Sequence, residues 1–345
     1  MTPIHKDSIT IIAEIAQGYE GSLEQARLLL RAASDSGANA AKIQVIYADE
    51  MSTPDYKHYQ LFSSLEMSDK AWEELSGYAK HLGLLLYLDV FGERSLRLAE
   101  KVSTDALMIH ATDINNLHLL HLVAKSKISM VLLNIGGAYD SEIKVAIDKL
   151  VDKKIVLMYG VQIYPTPQDD NHIRRILSLA EICGKNNSDI TIGFADHTVP
   201  ESNFHLALSS MALGAGARFF EKHITLGEVM KLEDYEAAIN PDRFATYVKY
   251  LRDCFKAYGL TTKKDGFGMT DSEIKYREQV RRHVVTLSKI KAGSILKAEN
   301  LLLKRTSSDK AITNFSDAIN KVAQHDIEAN RPVLMSELLP SEDTL

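Results

Sequence analysis

Two histidines carry the first chemical suggestion in this chain. His197 closes the run ITIGFADH and His223 stands in RFFEKHI, so each follows a short apolar, β-rich segment. If those segments are neighbouring parallel strands, residues at equal height stand ~5 Å apart, and two imidazoles can converge on one divalent ion. The chain has 12 histidines, so such a pair also arises by chance and gains meaning only from its surroundings. Glu221, two residues before His223, shares its strand face and could orient a ligand or handle a proton, whereas Lys222 points to the opposite face. Lys42 sits inside AAKIQVI, where a buried ammonium is costly unless it meets an anion. That anion is either a ligand or a protein partner, for which Glu14 and Asp234 are candidates.

More polar residues take the same kind of position. Glu14, Gln44, Asp89, His110, Asp113, Asn134, Gln162, Tyr164 and Asp196 each stand in or just beyond an apolar run. Any one of them reads equally well as a hydrogen-bonded structural residue. Their recurrence at the ends of successive runs calls for a scaffold that gathers strand ends on one rim.

The chain supplies that scaffold. Apolar, β-branched runs at 9–16, 40–46, 84–90, 105–110, 130–136, 155–161, 190–197 and 218–226 alternate with amphipathic helical stretches, as buried parallel strands do in βαβ units. Eight such pairs predict an α/β fold, a closed (β/α)8 TIM barrel, whose chemistry sits at the C-terminal strand ends. An open doubly wound sheet would show fewer strands and a Gly-rich turn after the first, and GxGxxG is absent. Ser22 with Gln25 spells a capping box for the first helix, and Gly37 a stop. After residue 258 the polar stretch GLTTKKDGFGMTDSEIKYREQ reads as a linker, and the short β-rich pieces beyond it, broken by Gly, Asn and Pro, as a small second domain. The expected division is a barrel over 1–260, a linker over 261–280 and a β-rich domain over 281–345.

Composition narrows the function. At 345 residues, 45% hydrophobic and 25% charged, the chain has the make-up of a folded globular protein with room for a barrel of ~250 residues. Its formal net charge of −6 disfavours binding to a nucleic-acid backbone. Two cysteines, Cys183 and Cys254, give neither a disulfide framework nor a thiolate metal site, and both are expected as buried thiols. The N-terminus lacks a basic start followed by a long apolar run, and no later stretch approaches the ~20 apolar residues of a membrane span. A cytoplasmic enzyme with small-molecule substrates and no membrane partner is expected.

The motifs resemble the sialic acid synthase (N-acetylneuraminate synthase-like) family. AEIAQGYEGSLEQA is similar to the family opening, GANAAKIQ to its GADAxKxQ strand and DINNLHLL to the stretch after its fourth strand. YPTP, IGFADHT, ALGAGARFFEKHITL and the spacing of Asp234 to Pro241 follow in family order. The tail from Arg281, with Lys304 and Arg305, resembles the antifreeze-like (SAF) domain that closes such chains. The resemblance implies metal ligands at His197 and His223, a donor-carboxylate lysine at Lys42, and acceptor-side or proton-transfer groups at Glu14, Tyr164 and Asp234. It also implies a domain-swapped homodimer in which Arg305 reaches the partner's barrel. In that family a divalent ion, usually manganese, polarises an amino-sugar aldehyde while the enol carbon of phosphoenolpyruvate attacks it; water then adds at the donor's second carbon and phosphate leaves. Mn(II) is the expected cofactor, with Fe(II) or Zn(II) as alternatives.

The departures fall where the family holds the donor's phosphate. Its Lys-Ile-(Ala/Gly)-Ser pattern here reads Met108, Ile109, His110, Ala111. Its Ser-Thr-Gly is Asn134-Ile135-Gly136, an Asn is Gln162, a Ser is Ala195, and Asn-His of the first loop is Gly18-Tyr19. His110 as imidazolium, Asn134 and Gln162 are the residues left to bind a phosphate. Three readings follow: a divergent metal-dependent synthase using a phosphoenolpyruvate-like donor; a metal-dependent lyase, aldolase or oxygenase acting on a non-phosphorylated 2-oxo acid; and a non-catalytic homologue. The second invokes a facial metal site completed by Glu14, Asp89 or Asp113.

Overall fold

Strands β1 (Thr10–Ala16), β2 (Ala40–Gln44), β3 (Leu85–Asp89), β4 (Ala106–Ile109), β5 (Met130–Asn134), β6 (Lys154–Tyr159), β7 (Ile190–Asp196) and β8 (Phe219–Ile224) lie side by side in chain order, all parallel. Pairing of β1 with β8 closes them into a barrel. The computed structural model describes residues 8–182, 190–259 and 268–340. A two-residue strand β9 (Ala238–Ile239) extends the sheet beside the end of β8, too short to leave a signal in the sequence. Apart from β1, the strands stop one or two residues before the apolar runs do; Val45, Ile46, Val90 and Ile135 stay buried beyond the last laddered residue.

Side-chain alternation divides the barrel into two apolar layers. Ile11, Ala13, Ile15, Ala41 and Ile43 face outward and pack against helices, whereas Ile12, Ala40, Tyr87, Met108, Met158 and Phe219 fill the lumen. The helices are α1 (Leu23–Asp35), α2 (Ala48–Met51), α3 (Tyr59–Leu65), α4 (Asp69–His81), α5 (Glu93–Lys101), α6 (Leu117–Lys125), α7 (Asp140–Lys149), α8 (Arg175–Ile182), α9 (Phe204–Gly214) and α10 (Pro241–Tyr258). At α1 only half of the expected capping box forms. Ser22 accepts the Gln25 amide, but the Gln25 side chain turns to the Gly18 carbonyl and to Glu20. Gly37 ends the helix with φ +83°.

One buried ion pair locks the ends of β7 and β8 from outside the lumen. Lys222 Nζ lies 2.8 Å from Asp196 Oδ1, both fully buried, and Asp196 also accepts the amide and hydroxyl of Thr198. Lys222 holds the Asp196 carboxyl below its usual range in spite of burial.

The chain divides into two compact units, Met1–Leu260 and Thr261–Leu345. In the second, β10 (His283–Thr286) pairs antiparallel with β11 (Leu301–Lys304) and β12 (Val322–Ala323) with β13 (Leu338–Leu339), around Val284, Leu296, Ala318 and Val333. The stretch expected as an extended linker contains helix α11 (Asp271–Val280), started by a full capping box between Thr270 and Glu273. Ten helical residues span ~15 Å, against ~33 Å extended. Cys183 lies outside the described residues, and Cys254, expected to be buried, is half-buried beside Ser210. Among the described residues no helix is long and apolar enough to cross a membrane.

Removing one partner of a buried pair leaves the other charge uncompensated, at a cost of about 3–5 kcal/mol. Asp196→Ala is therefore expected to lower the unfolding free energy by that amount in urea titration, whereas any exposed pair, such as Arg97 with Glu93, should change it by under about 1 kcal/mol when broken.

Candidate functional site

The narrow cleft at the C-terminal mouth of the barrel is lined by Glu14, Lys42, Gln44, Asp89, His110, Asn134, Gln162, Tyr164, His197, Glu221 and His223. Strands β1, β2, β3 and β8 build its floor. Lys42 Nζ stands 2.5 Å from Glu14 Oε2, 3.1 Å from Glu221 Oε2 and 3.7 Å from Asp89 Oδ2, and all four side chains are buried. A β-bulge in β1 aims Glu14. The ladder shifts between Glu14 and Ala16, Ala16 takes φ 47°, and its amide donates to Glu14 Oε1 at 2.6 Å. Such a left-handed non-glycine residue costs about 1–3 kcal/mol and persists only where its surroundings impose it.

Charge on the floor follows from this crowding. Burial pulls the Lys42 pKa down, but Asp89 and Glu221 outweigh it and hold the ammonium above its usual range. Burial pushes Asp89 up to about 7, with Lys42 opposing and Glu221 reinforcing the shift. Among the described residues neither Asp89 oxygen has a hydrogen-bond partner.

Strands β6, β7 and β8 build the rim. His197 donates from Nδ1 to the Val161 carbonyl at 2.8 Å, which leaves the Nε2 lone pair facing the cleft, as metal-ligating imidazoles are held. The Tyr164 hydroxyl lies 3.2 Å from that Nε2 and 3.3 Å from Gln162 Oε1. The His197 and His223 rings are 5.5 Å apart between centroids, and the Tyr164 ring lies 4.5 Å from the first, tilted by 39°. Burial keeps both imidazoles neutral. It lowers the His197 pKa, and together with His197 and Lys42 it takes His223 well below the usual range. Burial, with Asp234, Glu221 and Asp89, raises Tyr164. The close fit of β6 to β7 depends on Gly160, where a Cβ would come within 2.4 Å of the Ala195 carbonyl oxygen.

Several sequence expectations change here. Lys42, expected to hold a ligand carboxylate, is engaged by three protein carboxylates, and its partners are Glu14, Asp89 and Glu221, with no ion pair to Asp234. His110 does not offer an imidazolium in the free cleft: burial, and after it Lys42, lowers its pKa to about 4. The Thr112 amide donates to its Nδ1, so the ring proton sits on Nε2. Asn134 spends its carbonyl oxygen on the Gly136 amide. Asp234 takes φ 65°, and burial, aided by Glu233 and Glu236, raises its pKa to about 6. No carboxylate joins the two histidines as third ligand, as a facial site would require: Glu14 and Asp89 face Lys42, Asp113 accepts from Asn116, and no group of three metal-donor side chains forms among the described residues. Arg305 is exposed just after β11 in the second unit. The partnership of Asp89 and Glu221 with Lys42 was missed by the sequence reading. Strand alternation puts all three on the lumen face, but only the register, Glu14 beside Lys42 and His223, and Gln44 beside Asp89, shows that they meet.

Comparison with known proteins agrees with the motifs. The N,N'-diacetyllegionaminic acid synthase of Legionella pneumophila is 25% identical, over 95% of this chain and 94% of its own. The N-acetylneuraminic acid synthetase of Leptospira borgpetersenii, solved in complex with citrate, superposes with a TM-score of 0.70 at 25% identity, covering 80% of this chain and 95% of its own. A spore coat polysaccharide biosynthesis protein of Bacillus subtilis gives 0.63 at 26% identity, over 97% and 96%. Residues 281–339 match the SAF domain. Since residues 29–263, which carry the second half of α1 and every strand of the barrel but β1, match the NeuB family, the chain belongs to that family.

Proposed function

We propose that this protein is a divalent-metal-dependent sugar-acid synthase that joins the third carbon of a phosphoenolpyruvate-like or 2-oxo acid donor to the aldehyde carbon of an amino sugar. The observation that carries the reading is the pair of neutral imidazoles, His197 and His223, set beside Tyr164 above an ammonium held by carboxylates. The names of the relatives, synthases of N,N'-diacetyllegionaminic and N-acetylneuraminic acids, support the product class.

The donor set fits a divalent ion. Its two imidazoles are unprotonated and one is oriented by a backbone carbonyl, so His197 and His223 would hold Mn(II), or Fe(II) or Zn(II), with substrate and water oxygens completing the shell. The ion when bound supplies Lewis-acid polarisation of the aldehyde oxygen. The chain's own groups handle protons and position. Tyr164 stays a neutral phenol, so its hydroxyl donates a hydrogen bond to an oxygen that gains negative charge beside His197. Asp234, near 6, can exchange a proton at neutral pH. Glu14, fixed by the Ala16 amide, pairs with Lys42 on the floor, while Asp89 and Glu221 hold the ammonium charged. A second reading, an aldolase-type reaction of a non-phosphorylated 2-oxo acid, is favoured by one observation: Lys42, the cation of the cleft lining, is already surrounded by carboxylates.

Incubation with Mn(II), a panel of amino-sugar aldehydes and either donor should yield a sugar acid detectable by mass spectrometry. No product from any combination, in a protein that binds no divalent metal, would sink the proposal. His197→Ala/His223→Ala is expected to lose stoichiometric Mn(II) binding while the barrel stays folded by circular dichroism. Because burial lowers both histidine pKa values, protonation competes with the metal only at lower pH. Mn(II) affinity measured by calorimetry should hold as pH falls through ~6.5, where ordinary histidines titrate, and decline below it. The domain-swapped homodimer, with Arg305 delivered to the partner's barrel, belongs to the same proposal, and a fully active monomer in sedimentation at micromolar concentration would contradict it.

A further inference from the structure

The floor of the cleft carries one more acid than its cation can match. Lys42 is within 2.5 Å of Glu14 and 3.1 Å of Glu221, two carboxylates for one ammonium before Asp89 is counted. Asp89 is fully buried at the end of β3, lines the cleft, lies 3.7 Å from Lys42 Nζ, and has no hydrogen-bond partner at either oxygen among the described residues. Its ladder neighbours, Gln44 on β2 and Met108 on β4, bring no charge. The three histidines of the cleft do not make up the difference, since burial holds each of them neutral.

A buried carboxylate in this state needs a hydrogen-bond donor from whatever fills the cleft, or in its protonated form offers one. A phosphate of charge about −2 brings no donor to the ionised acid, and even where it accepts from the protonated one it meets like charge on a floor where Glu14 and Glu221 already outnumber Lys42. A hydroxyl or an oxo oxygen is complementary to one or the other form of the acid.

We propose that Asp89 is the specificity-determining residue of this cleft: it closes the floor to a phosphorylated donor and takes the oxo or hydroxyl oxygen of a non-phosphorylated 2-oxo or 2-hydroxy acid. This rests on the synthase reading and names its donor class.

The test compares phosphoenolpyruvate with pyruvate by calorimetry on the full-length, Mn(II)-loaded protein, wild type and Asp89→Asn, which keeps the shape and removes the charge. Wild type should bind pyruvate at least as tightly as phosphoenolpyruvate. Asp89→Asn should gain roughly tenfold or more for phosphoenolpyruvate, with pyruvate changing by less than about threefold. Asp89→Ser should move in the same direction, and a urea midpoint at pH 8 no lower than wild type shows that the variants fold. If either variant fails to fold, the wild-type preference decides alone. Phosphoenolpyruvate binding more tightly than pyruvate to wild type, by a margin that Asp89→Asn leaves unchanged, overturns the assignment while leaving the synthase reading in place. Failure of both acids to bind either protein, with Mn(II) bound, overturns the synthase reading and the assignment together.

Discussion

Lys42 in the barrel lumen, ringed by Glu14, Asp89 and Glu221, is the constraint on which the mouth of this molecule depends. The layers below it are apolar, and its side chain is only 4% exposed to the cleft, so the ammonium must be satisfied largely by the groups beside it. Four strands contribute to that: β2 carries the lysine, and β1, β3 and β8 bring the acids within 2.5 to 3.7 Å. A buried ion cluster of this kind adds little net stability, because desolvating the charges offsets their attraction. What it supplies is specificity of arrangement. Shifting any of these strands by one residue would turn its charge outward into the helix layer, and the bulge that places Ala16 at φ 47° is tolerated because it points Glu14 at the lysine.

The same two strands that end on the histidines carry a second buried lysine–carboxylate pair on their outer face. Asp196 precedes His197 and Lys222 precedes His223, so alternation directs the pair outward and the imidazoles inward. The outer pair pins the strand ends, and the inner rings inherit their 5.5 Å separation. Stability and function are thus written in adjacent residues. A substitution of Asp196 would disturb the rim without touching a ligand.

Much of this was legible in the sequence, and the rest was hidden for identifiable reasons. Eight apolar runs separated by helical patterns give the barrel, because strands buried on both faces have no other economical reading, and polar residues ending those runs give the mouth. Strand ends were overestimated by a residue or two, since Val45, Ile46 and Val90 remain buried under loops and burial, not laddering, is what composition reports. Helix α11 was hidden in a polar stretch whose residues are exposed along its length, so no apolar stripe marked it and only Thr270 and Glu273 could have. The charge state of His110 was not legible, because a side chain's pKa depends on how completely its neighbours exclude water, which no spacing rule conveys.

The rim illustrates how proton counting limits what a site can do. Tyr164 has one hydroxyl proton and two acceptors within reach, His197 Nε2 at 3.2 Å and Gln162 Oε1 at 3.3 Å. Since His197 spends its own ring proton on the Val161 carbonyl, Nε2 can only accept, and the phenol serves either the imidazole or the amide at a given moment. The Gln162 amide nitrogen, meanwhile, is buried without an acceptor. Rim and floor therefore each keep one unfilled hydrogen-bonding demand, an N–H on β6's side and a carboxylate on β3. In the packed layers of a native protein such groups are almost always paired. Here they face the same cleft across the lumen, which gives that cleft a polarity, acceptor-seeking at the rim and donor-seeking or acidic at the floor. A ligand that satisfies both must present an acceptor to Gln162 and a donor, or an acceptor for the protonated acid, to Asp89.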